Sequence, residues 1–346
     1  MIDGGPVRYT SDLPSYMVIG CLTIDSVLSA NGDLIRAACG GNALYAAAGA
    51  HIWDRRIGLV ARAGDDYPGD CLSEIEAVIN TEGLRRVSGA HPLRVAFSYR
   101  ADGSRTRTIP RSALVAIAAG AHRDYIDNTH DTERYLAATP MSGEIPERWL
   151  EAVGPVHLPA LMAVSQGDLI RALRRARPDR IITVDSPWYD QREVASAAHL
   201  DLLAAVDVVI PSEADLALFR PGMPVIEAAR TLIADGARAV VVKLGQAGSI
   251  VVERDGRMTH VPAYPSDAVD PTGAGDAFCG GFLVGLRETG DLVEAALRGT
   301  VSASFVVEER SALPIFRFAR AAAEERLPSV ADRVRVGITV DPRVAS

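Results

Sequence analysis

The sequence predicts a three-layer α/β core with a mostly parallel central sheet, and beside it a small separate β-sheet. Three observations carry this. Short continuous apolar runs, such as Val206-Asp207-Val208-Val209-Ile210 and Ala239-Val240-Val241-Val242, suit strands buried on both faces. Helical patterns over 168–176 and 225–235 separate such runs and supply the crossovers of a parallel sheet. Two early hairpins have no helix between their strands, so they leave the core and form a sheet of their own.

The elements follow in order. The first strand covers 17–21. Asn31-Gly32 then sits between apolar stretches, a strong hairpin signal because a type I′ turn needs positive φ at both central residues. Gly40-Gly41 precedes a small-residue helix over 42–51. A strand over 57–63 and a helix over 66–79 come next. In the second hairpin Val95, Phe97 and Tyr99 alternate with polar residues, Asp102-Gly103 makes the turn, and 105–109 returns. Further strands fall at 155–158, 181–185, 206–210, 239–244 and 249–253. The organisation expected is a loose leader over 1–16, one domain over 17–325 with the hairpins as insertions at about 26–38 and 92–110, and an extension over 326–346.

The chain has 346 residues and a formal net charge of −8, with no long basic run, which disfavours a nucleic-acid binder. No apolar run approaches the ~20 residues that span a bilayer, and the first residues lack the pattern of a signal peptide. Cysteines at 21, 39, 71 and 279 match neither a zinc ribbon nor a CxxC pair, so buried reduced thiols in a cytoplasmic protein are expected.

The chemistry concentrates in Asp270-Pro271-Thr272-Gly273-Ala274-Gly275-Asp276-Ala277-Phe278. This stretch follows a predicted strand and loop over 261–269. It opens a helix whose Phe278, Phe282 and Leu286 recur four apart on one face. Gly273 and Gly275 leave backbone N–H groups bare, and the helix start adds unpaired donors and positive dipole character. Together they make a nest for phosphate oxygens. Asp276 is placed to accept a proton from a hydroxyl as its oxygen attacks phosphorus. The same residues also fit an ordinary helix start with Asp276 as its first-turn carboxylate. Two details weigh against that plainer reading. Gly280 and Gly281 lie inside the helix, where each costs ~1 kcal/mol against Ala unless something packs closely. Asp270 and Thr272 offer oxygens with no evident role in the fold. There is no GxxxxGK[ST], and Phe278 stands where a dinucleotide fingerprint needs Gly, so P-loop and nicotinamide readings fail.

Residues 270–283, DPTGAGDAFCGGFL, resemble the C-terminal signature of the ribokinase-like (PfkB) carbohydrate kinases. The resemblance runs from about Met17 to Arg320. It takes in the first strand with its Asp, the Gly-Gly helix, a hairpin lid and a Lys-Leu-Gly segment late in the sheet. It implies a ribokinase-like fold and an ATP-dependent kinase acting on a hydroxyl of a small sugar-like molecule. By resemblance Asp276 is the catalytic base, and Gly273, Ala274 and Gly275 form the anion hole. Asp25 grips substrate hydroxyls, as a carboxylate with two charge-assisted hydrogen bonds suits a vicinal diol; read alone it is a solvated loop residue. Gly41 and Asn42 form the corner that approaches the sugar. Lys243, Gly245 and Gly248 lie along the nucleotide, although Lys243 by itself also fits a solvated strand end. Asp270 and Thr272 match a loop that often holds a monovalent cation, usually K⁺.

The sequence departs from the family pattern in three places. Ser212-Glu213-Ala214-Asp215 replaces the usual Asn-x-x-Glu that organises Mg²⁺, leaving Asp215 as a shorter carboxylate able to act through water. Tyr45 replaces the usual Asn of the Gly-Gly helix, which marks a subfamily or a bulkier, flatter pocket. Ser311 stands where a Gly often helps ring the monovalent ion. Arg105 and Arg107 either recognise an anionic group on the substrate or face solvent. A nucleoside kinase and a sugar-binding sensor without turnover remain as alternative functions. The lid, with exposed strand edges, offers a route to a homodimer.

Overall fold

The computed structural model describes residues 12–28, 32–99, 105–106, 109–110, 125–186 and 202–337. Strands β1 (Tyr16–Ile19), β2 (Thr23–Leu28) and β3 (Leu34–Gly40) lead into helix α1 (Asn42–His51). Then come β4 (Ile57–Gly64), α2 (Gly69–Val78), β5 (Asn80–Val87), β6 (Arg94–Tyr99) and β7 (Arg105–Thr106). Helices α3 (Thr132–Ala138) and α4 (Glu147–Ala152) precede β8 (Val156–Leu158), α5 (Ala163–Ala176), β9 (Ile182–Val184) and β10 (Val208–Val209). Helices α6 (Glu213–Phe219) and α7 (Val225–Ala234) lead to β11 (Ala239–Lys243), β12 (Ser249–Glu253) and β13 (Met258–Val261). The chain closes with α8 (Ala274–Thr289), α9 (Leu292–Val307), α10 (Arg320–Ala331) and β14 (Arg335–Val336).

One sheet has ten strands in the order β14-β13-β12-β11-β10-β9-β8-β1-β4-β5. Neighbours from β5 to β11 are parallel, and β12, β13 and β14 join antiparallel. Side chains alternate between two cores, as the two-residue period of a strand requires. Tyr16 and Val18 enter one, with α1, α2, α8 and α9; Met17 and Ile19 enter the other, with α4, α5 and α7. Ala239 and Val241 against Val240 and Val242 repeat the split on β11. This is the expected three-layer core.

The lid is a second sheet, ordered β3-β2-β6-β7. Both predicted hairpins are present as antiparallel pairs, and β2 and β6 join them in parallel. Asn31 and the Asp102-Gly103 turn lie outside the described residues, as does Arg107. Among the described residues no helix is long and apolar enough to cross a membrane.

Several expectations need correction. Strand β5 was not foreseen. It is the outer strand of the large sheet, and its sequence (NTEGLRRV) is polar with one fully buried position, so it carries no apolar run to read. The strand of the strand and loop expected over 261–269 lies earlier, at Met258–Val261, and 262–269 is the loop. Helix α5 starts at Ala163, five residues before its predicted start, and α10 runs through residue 326, where the extension was expected to begin. The four thiols are not all free. Cys39 and Cys71 form a disulfide with Cα atoms 6.2 Å apart, linking the end of β3 to the first turn of α2, while Cys21 and Cys279 are free and buried. Only the packing of the lid strand on α2 brings the pair together across 32 residues.

Candidate active site

The site begins at the turn into α8. Gly273 adopts a left-handed conformation, φ 77°, and a Cβ there would overlap the Tyr45 ring, so only glycine fits. The Ala274 amide donates to the Pro271 carbonyl at 3.2 Å and is therefore engaged within the turn. The Gly273 and Gly275 amides have no acceptor among the described residues. Of the three predicted anion-hole residues, these two offer open donors.

Helix α8 lies backbone-to-backbone on α1. A Cβ on Gly280 would overlap the Ala46 carbonyl, and one on Gly49 would overlap that of Ala277. A Cβ on Gly281 would overlap the Ser302 hydroxyl and the Arg298 carbonyl on α9. Close packing thus accounts for the two mid-helix glycines. It also fixes the head of α1, with Asn42, against the head of α8, with Asp276.

Two cavities meet here. A cleft of about 1100 Å³ runs along the C-terminal end of β11 past Asp215, Lys243, Gly245, Gly248 and Gly275. A pocket of about 220 Å³ lies between lid and core, against Asp25, Gly41, Asn42, Tyr45, Phe97 and Gly273. Asp276 lines both. Burial, opposed by the Lys243 ammonium and reinforced by the Asp185 and Asp215 carboxylates, pushes its pKa up to about 7. That value suits a base working near neutral pH.

On the pocket side Asp25 is 6% exposed and accepts from Thr23 Oγ1 at 2.5 Å. A Cβ on Gly40 would overlap its carboxylate, so the glycine makes room for it. Asn42 lines the pocket, but its amide is already tied to the scaffold. Its Oδ1 accepts from the Cys21 N–H at 2.9 Å, and its Nδ2 donates to Ala160 O at 2.7 Å. Tyr45 forms the floor, and its hydroxyl pKa is raised well above the usual value by burial, with Asp25, Asp270 and Asp276 adding to it.

On the cleft side Lys243 Nζ pairs with Asp185 Oδ2 at 2.5 Å. Burial disfavours its charge, but Asp185, with Cys279 and Asp276, more than offsets this and keeps the ammonium protonated. Asp215 caps its own helix: its Oδ2 accepts from Ser212 N at 2.9 Å and Ser212 Oγ at 2.5 Å. Its other oxygen is left for the cleft, which fits a Mg²⁺ ion held through water and not one gripped directly. Among the described residues no group of three or more metal-ligating side chains exists. Asp270 and Thr272, expected at a monovalent cation, are joined to the lid by hydrogen bonds. Tyr99 Oη donates to Asp270 Oδ1 at 2.5 Å and meets Thr272 Oγ1 at 2.8 Å, while the Thr272 N–H donates to the same Asp270 oxygen at 2.8 Å. Asp270 Oδ1 thus accepts two hydrogen bonds, and the cluster ties the turn into α8 to the lid strand.

Sequence reasoning missed Asp185, Tyr99, and Asp127 with Thr129 at the pocket wall. Asp185 ends a predicted strand of the parallel sheet, the end at which such sheets bind ligands, and could have been flagged on that ground.

Comparison with known proteins agrees with this geometry. The profile of the pfkB family carbohydrate kinases matches residues 39–315. The chain belongs to this family. A cytidine kinase from Thermococcus kodakarensis is 28% identical to this kinase over 300 residues, covering 85% of this chain and 96% of that one. A 5-dehydro-2-deoxygluconokinase from Lacticaseibacillus casei is 24% identical, covering 79% and 81%. The crystal structure of a putative ribokinase II from E. coli in complex with ATP and Mg²⁺ superposes with a TM-score of 0.67 at 18% identity, over 92% of this chain and all of that one. The ribokinase fold and membership of a kinase family are therefore established for this chain.

Proposed function

We propose that this kinase transfers the γ-phosphoryl group of ATP to a hydroxyl of a small neutral sugar or of the sugar of a nucleoside, with Asp276 as general base. The observation that carries the reading is the position of Asp276 at the junction of two cavities, one large enough for a nucleotide and one for a single polyol. Asp25 and the Thr23 hydroxyl face the smaller pocket and suit hydroxyl recognition. Tyr264, Val269, Ala303 and Val307 give the far part of the cleft an apolar wall fit for a purine ring.

In the reaction, Asp276 takes the proton of the acceptor hydroxyl as its oxygen bonds to the γ-phosphorus. The bond from that phosphorus to the β,γ-bridging oxygen breaks, and ADP leaves with the electron pair. The Gly273 and Gly275 amides donate to the transferring oxygens. Mg²⁺, when bound, neutralises charge on the phosphates, and Asp215 would hold it through water. The lid carries Asp25, Val95 and Phe97 over the pocket and excludes water from the reacting atoms.

Two relatives of opposite acceptor chemistry, one named for a nucleoside and one for a dehydro-deoxy sugar acid, frame the choice. The pocket carries the carboxylates Asp25, Asp127 and Asp276, which favour a neutral acceptor over an anionic one. A panel of free sugars, sugar acids, sugar phosphates and nucleosides, assayed for ADP release, tests this. Neutral acceptors should lead; preference for a sugar acid would overturn the assignment, and binding without turnover at any Mg²⁺ level would point to a sensor. The lid edge β3, with Leu34 exposed, supports pairing of two copies through their lids. A monomeric mass by light scattering at micromolar concentration would exclude that.

A further inference from the structure

We infer that Asp185 is a positioning residue for phosphoryl transfer, pinning the Lys243 ammonium against the anion hole so that a fixed cation faces the transferring group. The inference rests on the reading of Asp276 and the 273–275 turn as the catalytic centre.

The geometry is specific. Lys243 is the last residue of β11, and its amide donates to Pro211 O at 2.8 Å, which fixes the root of the side chain. Its Nζ lies 2.5 Å from Asp185 Oδ2 and 3.7 Å from Cys279 Sγ on α8. A Cβ built on Gly275 would sit 3.6 Å from Nζ, so the ammonium lies directly beside the predicted anion hole. An ammonium has three N–H donors. Among the described residues Asp185 takes one and the thiol, weakly, a second, leaving a third for an oxygen in the cleft that Lys243 lines.

Asp185 is itself held rigidly. Its Oδ1 accepts from the Ser186 N–H at 2.7 Å, and its carbonyl accepts from Gln166 Nε2 at 3.1 Å. The carboxylate therefore has little freedom to follow a moving lysine. A buried ion pair of this kind contributes little net stability compared with apolar side chains of the same size. Here one partner borders the cavity in which the reaction is placed, which gives the pair a functional reason. The capping of Asp215 by Ser212 adds to it: this carboxylate is half engaged, so charge control on this wall falls to Lys243.

The groups facing Asp276 are Lys243 from β11, Asp185 from the end of β9, Asp215 from α6, the Cys279 thiol of its own helix, and the phenols Tyr45 and Tyr135. The two members of the pair act on it with opposite sign, Lys243 favouring the ionised carboxylate and Asp185 disfavouring it. This gives a signature that mere packing would not produce.

The test measures kcat, KM and the pH dependence of kcat/KM for D185N, K243M and the double variant, with circular dichroism to confirm folding. Loss of one preorganised donor costs on the order of 10²–10³ in kcat. K243M should fall in that range, D185N by roughly tenfold or more, and acceptor KM should barely change. The double variant should be no slower than K243M at a pH where Asp276 is ionised, because Asp185 reaches the transferring group only through the lysine. The acidic limb of the profile should move to lower pH in D185N and to higher pH in K243M. Wild-type turnover in D185N, losses that multiply in the double variant, or limbs that shift in the same direction would each overturn the inference. D276N run alongside separates the two claims. If it keeps its turnover, the base assignment fails, and the multiplicativity of the D185N and K243M losses still decides the pairing.

Discussion

Asp276→Asn should abolish most turnover and at the same time stabilise the protein, and the stabilisation should depend on pH. A carboxyl raised from 3.8 to about 7 prefers to keep its proton in the folded state. Each tenfold change in proton affinity is about 1.4 kcal/mol. An ionised Asp276 therefore costs the fold up to about 4 kcal/mol above pH 7, relative to the same group in the unfolded chain. Asp276 opens on the cleft, and water there relieves part of the burial, so about 2 kcal/mol is expected. The sign follows from proton binding. The native state binds more protons than the unfolded state between pH 4 and pH 7, so the wild-type protein loses stability as pH rises through that window. The asparagine variant does not. Their melting temperatures should coincide near pH 4 and separate progressively, reaching about 3 °C in favour of the variant above pH 7 for a chain of this length. Differential scanning fluorimetry of the ligand-free protein across pH 4–8.5 measures this, and kcat should fall by ~10²–10⁴. A constant difference across the range, or a less stable variant at pH 8, would show that the carboxyl is not strained by burial. Turnover near wild type would show that it is not the base.

Three other outcomes follow from the geometry. Tyr99→Phe removes the lid's hydrogen bonds to Asp270 and Thr272. It should lower kcat/KM about tenfold, as expected for a hydrogen bond to a charged group, and raise acceptor-free ATP hydrolysis; an unchanged hydrolysis rate would exclude a role in closure. Gly280→Ala forces a methyl into the Ala46 carbonyl, so a loss of more than about 2 kcal/mol by urea unfolding is expected, whereas a neutral result would mean that the helices separate easily. Alkylation under denaturing, non-reducing conditions should label Cys21 and Cys279 alone and reach Cys39 and Cys71 only after reduction. Reduction should then cost on the order of 3–4 kcal/mol for a loop of this length, and four labels without reductant would dismiss the disulfide.

The parallel core was legible because β-branched runs such as Val240-Val241-Val242 need no partner to declare themselves. The turn 273–275 was legible because glycines, a helix start and a carboxylate stand within a few residues. What escaped was long-range. Asp185 and Lys243 are 58 residues apart, Tyr99 and Asp270 are 171 apart, and neither pairing leaves a local pattern. Asn42 was expected to bind substrate, and it lines the pocket, yet only coordinates show that its amide serves Cys21 and Ala160. Asp270 and Thr272 looked like spare oxygens because the phenol that bonds to them comes from the lid sheet. Strand β5 was hidden by its polar, outermost position.

The bare-backbone contact between α1 and α8 divides the labour in this enzyme. Asp276, the proposed base, and the Asn42 corner of the pocket ride on one welded slab, with no methyl-sized slack to shear. Asp25 and Phe97, which the proposed reaction sets against the acceptor, belong to the separate four-stranded sheet. Descendants of such a scaffold can trade one acceptor for another by editing that sheet alone, while the reaction beneath stays as it was.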